Sequence, residues 1–485
     1  MTPGITAAVV AIYFIILLYV GYLTAKKSDN ASFFTGNRSS PWYLIAFGMI
    51  GTSISGVTFI SVPGDVGKIS FSYLQFVFGN FFGYLIIIGI LLPLYYRLNL
   101  TSIYSYLGER YGTTTHKTGA FFFLLSRTIG AAARLYLVAM VFQIFIFDNW
   151  HFPFYLSVIL SVGLILTYSI KGGIKTIIWT DTLQTVFLVS ALILTIIFIN
   201  HSLHINFIDS LSLIKNSNYS KLFFWDYSDK NFFLKQFLSG IFMTVAMTGL
   251  DQDLMQKNLT CKTLKDAQKN MFVFSFIFIG VVLLFLSLGA LLYIYANTNH
   301  IALPPKSDQL FPILALHHFP MLYSLIFIVG LTAAAFASAD SALTALTTSY
   351  CIDFLNMKEE NNTKNIKTRY QVHIGFSILI ILCIYLFAAF NDQSILSAIF
   401  KIAGYTYGPL LGLFSFGLIS KRQVNDLKTS LICFSSPIIT YLAEILIHKF
   451  IPSYSIGFET LIFNAIVIHI FLYIISTPKI LQTSK

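Results

Sequence analysis

Lys and Arg alternate from gap to gap along this chain. About thirteen apolar stretches divide it, near 4–24, 41–62, 72–96, 118–147, 153–170, 176–200, 236–256, 271–296, 321–352, 371–390, 394–419, 429–448 and 455–476. A helix needs roughly 20 residues to cross the hydrocarbon. Of 31 Lys and Arg, 21 lie in the odd-numbered gaps and at the C-terminus. Three lie in short even-numbered gaps and four in the longer sixth gap. The other three, Arg127, Arg134 and Lys401, sit inside apolar stretches. This alternation follows the bias of basic residues toward the cytoplasmic face. It predicts a polytopic membrane protein, N-terminus outside and C-terminus in the cytoplasm. Spans of this length are helices, because each helix satisfies its own backbone in lipid. Ionisable groups left inside the spans are then functional candidates.

Composition agrees. Hydrophobic residues make up 56% of the chain and charged residues 11%, against about 25% charged in a soluble domain. The net charge of +11 is spread over loops, with no basic stripe interleaved with aromatics, so no nucleic-acid partner is expected. Lys26 and Lys27 follow the first apolar run rather than precede it. That order reads as an uncleaved first span, not a signal peptide. The four cysteines show no paired spacing. No HExxH, GxSxG or phosphate-cradling loop is present, and no loop is long enough for a soluble catalytic domain. The expectation is one transmembrane domain over 1–485, not an enzyme, working as a monomer in a bacterial inner membrane.

Thirteen spans accommodate two five-helix repeats of opposite topology, at 41–200 and 236–420, with 1–24 and 429–476 peripheral. Such repeats hold their ligands at broken helices near the midplane. The first span of each should therefore look interrupted. Span 2 carries Gly51-Thr52-Ser53-Ile54-Ser55-Gly56-Val57-Thr58, and span 7 ends in Thr244 to Asp253, TVAMTGLDQD. Small residues also serve close helix packing. Two matched positions favour a binding site.

Three patches resemble the sodium:solute symporter family, which includes sodium–glucose, sodium–proline and sodium–sialic acid symporters. Gly172-Gly173 through Trp179-Thr180-Asp181-Thr182-Leu183-Gln184 is similar to the family's GG…WTDxxQ pattern. Ala333 to Ser341, AAAFASADS, resembles its AAxxSSADS stretch. Asp251-Gln252-Asp253-Leu254-Met255-Gln256-Lys257 is similar to its (N/D)Q-x-x-x-Q-(R/K) helix end. The resemblance implies a LeuT-like inverted repeat and Na⁺-driven uptake of a small organic solute. It places Na⁺ ligands at Gly51, Ile54, Ala334, Ala337 and Ser338. Position 337 departs from the pattern: a hydroxyl is missing, to be replaced by water, Thr52, Ser53 or Ser55. A second cation position is expected between Asp181 and Asp340, with Ser341 beside it.

For the solute, span 2 offers Ser53, Ser55 and Thr58, span 3 Gln75, span 7 Asp251 and Gln252, and span 11 Tyr405. Arg127 and Arg134 are seven residues apart, about two turns, and share a helix face. Arginine at that depth costs at least ~2.5 kcal/mol on insertion scales and can grip a carboxylate through two parallel hydrogen bonds. Sialic acid carriers of the family use an Arg of this span for that purpose. The expected solute is thus an organic anion such as sialic acid. The alternatives are a neutral sugar, polyol or amino acid, and H⁺ in place of Na⁺. A structural acid paired with one of the two arginines is the competing explanation for it.

Overall fold

The computed structural model describes residues 3–26, 29–357, 362–390, 395–450, 457 and 459–478. The expected span edges at 391–394 and 451–456 lie outside the described residues. Among those described, the chain is helical apart from loops and two isolated bridges, Ser40 with Cys261 and Gln423 with Thr477. Among the described residues, nine helices are long and apolar enough to cross a membrane, or eleven with each of two bent pairs taken as one span.

In chain order, the main helices are α1 (Pro3–Thr24), α2 (Trp42–Ser53), α3 (Gly56–Ile69), α4 (Tyr73–Ile86), α5 (Thr113–Phe142), α6 (Phe154–Ser202) and α7 (Phe233–Thr244). They continue with α8 (Gln252–Leu259), α9 (Leu264–Thr298), α10 (Met321–Ser349), α11 (Thr363–Phe390), α12 (Ile395–Ile419), α13 (Asp426–Phe450) and α14 (Thr460–Ile475). Both interruptions read from the sequence are present: α2 and α3 bend by 64°, as do the helix over Phe233–Gly249 and α8. Spans 5 and 6 are not separated by a loop. They join in the 49-residue α6, which turns at Gly173 with φ +52°. A Cβ there would lie 2.4 Å from the Phe33 ring, so both the backbone angle and the space demand glycine.

The alternation of charge has a structural counterpart. The odd-numbered gaps are tied to one another. Ser40 N donates to Thr260 O at 3.1 Å, Arg38 to Leu100 O at 3.2 Å, His116 meets Asp353 at 2.8 Å, and Thr115 N donates to Asp426 at 2.7 Å. The even-numbered gaps gather separately: Phe71 N donates to Lys221 O at 3.0 Å, and the Ser307 hydroxyl donates to Asp65 at 2.7 Å. The molecule therefore has one basic end and one opposite end.

The centre of the bundle is α10. Every residue from Gly330 to Ser349 is buried, as expected of a helix enclosed on all sides. Its Ala- and Ser-rich surface admits neighbouring backbones closely. A Cβ at Gly56 would stand 3.0 Å from that of Ala335, and one at Gly330 would stand 2.4 Å from that of Ala191. Small side chains thus bring α3 and α6 against α10, which sets the geometry of the site.

Candidate ion and solute site

The α2–α3 break arises where small polar residues replace good helix formers. Ile54 and Ser55 are extended, and the Ser55 hydroxyl caps α3 by accepting from Thr58 N at 3.4 Å. Carbonyls in the last turn of a helix have no partner further along it. The break faces two helices. Gly51 N donates to the Thr185 hydroxyl at 3.0 Å, which donates to Asp181 O at 2.8 Å. A Cβ on Gly51 would stand 3.3 Å from that of Ala337. Gly51, Asp181 and Ala337 therefore meet at one point. The neighbouring Ile54, Ala334 and Ser338 are buried as well. The Ser338 hydroxyl donates to Ala335 O at 3.0 Å, which leaves its lone pairs for a cation. Of the three hydroxyls that could replace the one lost at Ala337, Thr52 donates to Asp181 at 2.9 Å and Ser55 is a cap. The buried Ser53 hydroxyl has no partner among the described residues.

The second break treats its carbonyls differently. A π-helical turn, Val245–Gly249, precedes it. Tyr95 donates to Gly249 O at 2.7 Å and Tyr104 to Leu250 O at 2.9 Å. The freed main-chain oxygens are thus satisfied by phenols. Among the described residues, no side chain donates to the carbonyls of Gly51 or Ile54 at the first break. Those two remain suited to a hard cation, which prefers oxygen ligands.

A chain of buried polar contacts links the breaks. Asp251 caps α8, accepting from Asp253 N at 2.9 Å, and also accepts from the Tyr407 hydroxyl. Arg127 pairs with Asp253 and stands 3.7 Å from Asp251. Ser341 donates its hydroxyl to Asp253 and its N–H to Asp340, at 2.6 Å for the latter. Tyr168 donates to Asp340 at 2.7 Å. Lys257 donates to both Asp181 and Thr52. The acid of Arg127 is thus Asp253, and the cation on Asp181 is Lys257.

A cavity of about 110 Å³ lies beside the first break, lined by Ser53, Asn80, Tyr84, Arg127, Arg134 and Thr248 among others. Arg134 forms no ion pair among the described residues, and its buried Nη1 has no partner. Ser55 and Thr58 sit 3.3 Å apart, spent on each other. Three expected solute ligands are engaged elsewhere. Gln75 pins a loop, accepting from Phe224 N at 3.0 Å and donating to Asn231 O at 2.9 Å. Gln252 accepts from Ile103 N at 2.9 Å and donates to Thr101 O at 2.8 Å. In both, an amide satisfies loop backbone that would otherwise be buried unpaired. Tyr405 donates to Glu444 on α13. Residues two apart on a helix point about 200° from each other, so Tyr407 reaches Asp251 while Tyr405 faces outward.

Three participants escape the sequence reading. Lys257 counts there as a loop cation, yet α8 carries it into the core, 1% exposed. Its signal is a third charge in the polar run 251–257. Asp253 belongs to the same run. Tyr168 gives no signal, being one aromatic in an apolar stretch.

This is a multi-pass membrane protein in which two broken helices and the helices packed against them bear buried polar side chains. The model of the sodium:solute symporter family matches residues 33–426, and the chain belongs to that family. It is similar to a sodium/sialic acid symporter of Aliivibrio fischeri, 24% identical over 424 residues, 84% of this chain and 81% of that protein. It is also similar to sodium-coupled monocarboxylate transporter 1 of Mus musculus, 26% identical over 421 residues, covering 83% of this chain and 66% of that one. Among solved structures, a Na⁺-coupled sialic acid symporter in a substrate-bound outward-open state superposes with a TM-score of 0.82 at 19% identity, over 98% of this chain and 99% of that one. Mhp1, a nucleobase-cation-symport-1 family transporter in a closed conformation, gives 0.55 at 13% identity over 90% and 92%. The fold is the LeuT-like one, and Na⁺ is the coupling ion.

Proposed function

We propose that this chain imports a small organic anion with Na⁺ by alternating access. The observation that carries the anion is Arg134: a half-buried guanidinium lining the central cavity, whose buried Nη1 has no partner and to which no acid is paired among the described residues. A donor buried without a partner is costly, and a solute carboxylate would supply one. Arg127, held by Asp253, shapes the same cavity. Na⁺ is bound by the Gly51, Ile54 and Ala334 carbonyls and the Ser338 hydroxyl, with Ser53 in place of the hydroxyl missing at Ala337.

The basic end faces the cytoplasm, following the positive-inside rule, so the N-terminus is outside. A second cavity, of about 440 Å³ and lined by Ile60, Tyr136, Met140, Lys306 and His317, is then the entrance. The His116–Asp353 pair and the Gln252–Ile103 bond close the cytoplasmic side. Na⁺ at the first break draws the α2–α3 carbonyls toward α10. It thereby favours the state whose contacts it completes, and by reciprocity raises affinity for the solute.

Relatives bearing both sialic acid and monocarboxylate names match this chain. The volume of about 110 Å³ favours a short monocarboxylate as second reading, since drug-sized ligands take pockets of roughly 300–1,000 Å³. Uptake into Na⁺-loaded-outside proteoliposomes, with labelled sialic acid, short monocarboxylates, neutral sugars and amino acids, decides between them. Carboxylates should enter and compete with one another. Entry of neutral sugars that no carboxylate inhibits would overturn the anion reading.

A further inference from the structure

The ammonium of Lys257 lies on Asp181, one of the two carboxylates between which a second cation would be expected. Asp181 is fully buried, with one carboxylate oxygen accepting from both Lys257 and Thr52 and the other unpartnered among the described residues. Thr52 belongs to the last turn of α2, beside Gly51, and Lys257 also donates to its hydroxyl. Lys257 is carried by α8, which begins at the second break and is fixed there by its Asp251 cap. One ammonium thus joins both broken helices to α6. Its neighbours are otherwise committed: Asp340 accepts from Tyr168 and Ser341, and Asp253 pairs with Arg127.

We propose that Lys257 is a tethered cation that permanently fills the second position, so that the protein binds a single free Na⁺, at the first break. An ammonium and an alkali ion carry the same charge and seek the same oxygen acceptors. A mobile Na⁺ at Asp181 would meet the lysine's charge at contact distance. Lysine keeps its place because it is covalently bound and costs no translational entropy on each cycle. The inference rests on the Na⁺ site of the symport reading, but on neither the solute nor transport itself.

Equilibrium binding of radioactive Na⁺ to purified protein in nanodiscs, without solute, tests it. The wild type should bind one Na⁺. Lys257→Met should bind two, because the vacated carboxylate recruits a second ion. Lys257→Arg, and the double variant Lys257→Met with Asp181→Asn, should each return to one. Two ions in the wild type, or one in Lys257→Met, overturns the proposal. Lys257→Met leaves Asp181 uncompensated, so its thermal unfolding should be rescued by Na⁺ over choline by a larger shift than the wild type shows. Failure to fold in either salt overturns the proposal too. Absent solute uptake with these counts intact removes the transport reading and supports the tethered cation.

Discussion

Ala337 places a methyl group where the family's pattern has a hydroxyl, directly opposite Gly51. Restoring it should strengthen Na⁺ binding. An ion–dipole contact on the scale of a hydrogen bond, about 1 kcal/mol net, corresponds to a roughly fivefold fall in half-saturating Na⁺ for Ala337→Ser. Titration of uptake against Na⁺ at fixed solute measures it, and no change would show that Ser53 already completes the shell. Arg134→Gln should raise KM for a carboxylate solute by ~10-fold or more, since a hydrogen bond to a charged group is worth about 1.5–3 kcal/mol. It should leave the Na⁺ requirement intact. Equal loss for charged and neutral solutes would mean that Arg134 is structural. The two arginines were legible because charge inside an apolar stretch is rare. Which of them is free was not, because that depends on the Asp253 carboxylate arriving from another helix. Lys257 was hidden for the opposite reason: it stands at the end of an apolar run, where a basic residue ordinarily marks a loop.

At the scale of elements, the broken helices were readable from runs of Gly, Ser and Thr, which leave helical backbone weakly supported. The division of labour between them was not. Tyr95 and Tyr104 donate to Gly249 O and Leu250 O of the second break from distant segments, whereas among the described residues no side chain donates to the Gly51 and Ile54 carbonyls of the first. The continuity of α6 was also unreadable, because two adjacent glycines suggest a loop, whereas Gly173 only turns the helix. The Arg127–Asp253 pair joins α5 to α8. Removing one partner of a buried pair costs about 3–5 kcal/mol, while replacing both is far milder. Arg127→Met should therefore unfold at markedly lower temperature, and Arg127→Met with Asp253→Leu should recover much of the loss. A double variant no more stable than the single one would show that the pair does not join these helices. Gly51→Ala would push a methyl to 2.6 Å from the Thr185 hydroxyl. It should separate α2 from α6 and abolish Na⁺-dependent uptake, while the protein still purifies as a monodisperse species. Normal uptake would place the ion elsewhere.

Across the whole molecule, the gaps that hold most of the Lys and Arg are those joined to one another at one end. Charge pattern and three-dimensional structure therefore describe the same sidedness, and this was the most secure part of the sequence reading. The count of thirteen spans was less so: among the described residues up to eleven helices qualify, since spans 5 and 6 join in α6 and Thr460–Ile475 is short for a span. The central claim is that a Na⁺ ion held between the first break and Ser338 drives the solute uphill. Solute accumulation in proteoliposomes under an imposed inward Na⁺ gradient tests this most directly, with wild type and Ser338→Ala side by side. The account predicts concentration of a labelled carboxylate well above equilibrium in the wild type, collapse when K⁺ replaces Na⁺, and a strongly raised Na⁺ requirement in Ser338→Ala. Accumulation that is equal in K⁺ and Na⁺, or a Ser338→Ala protein with unchanged Na⁺ dependence, would contradict it.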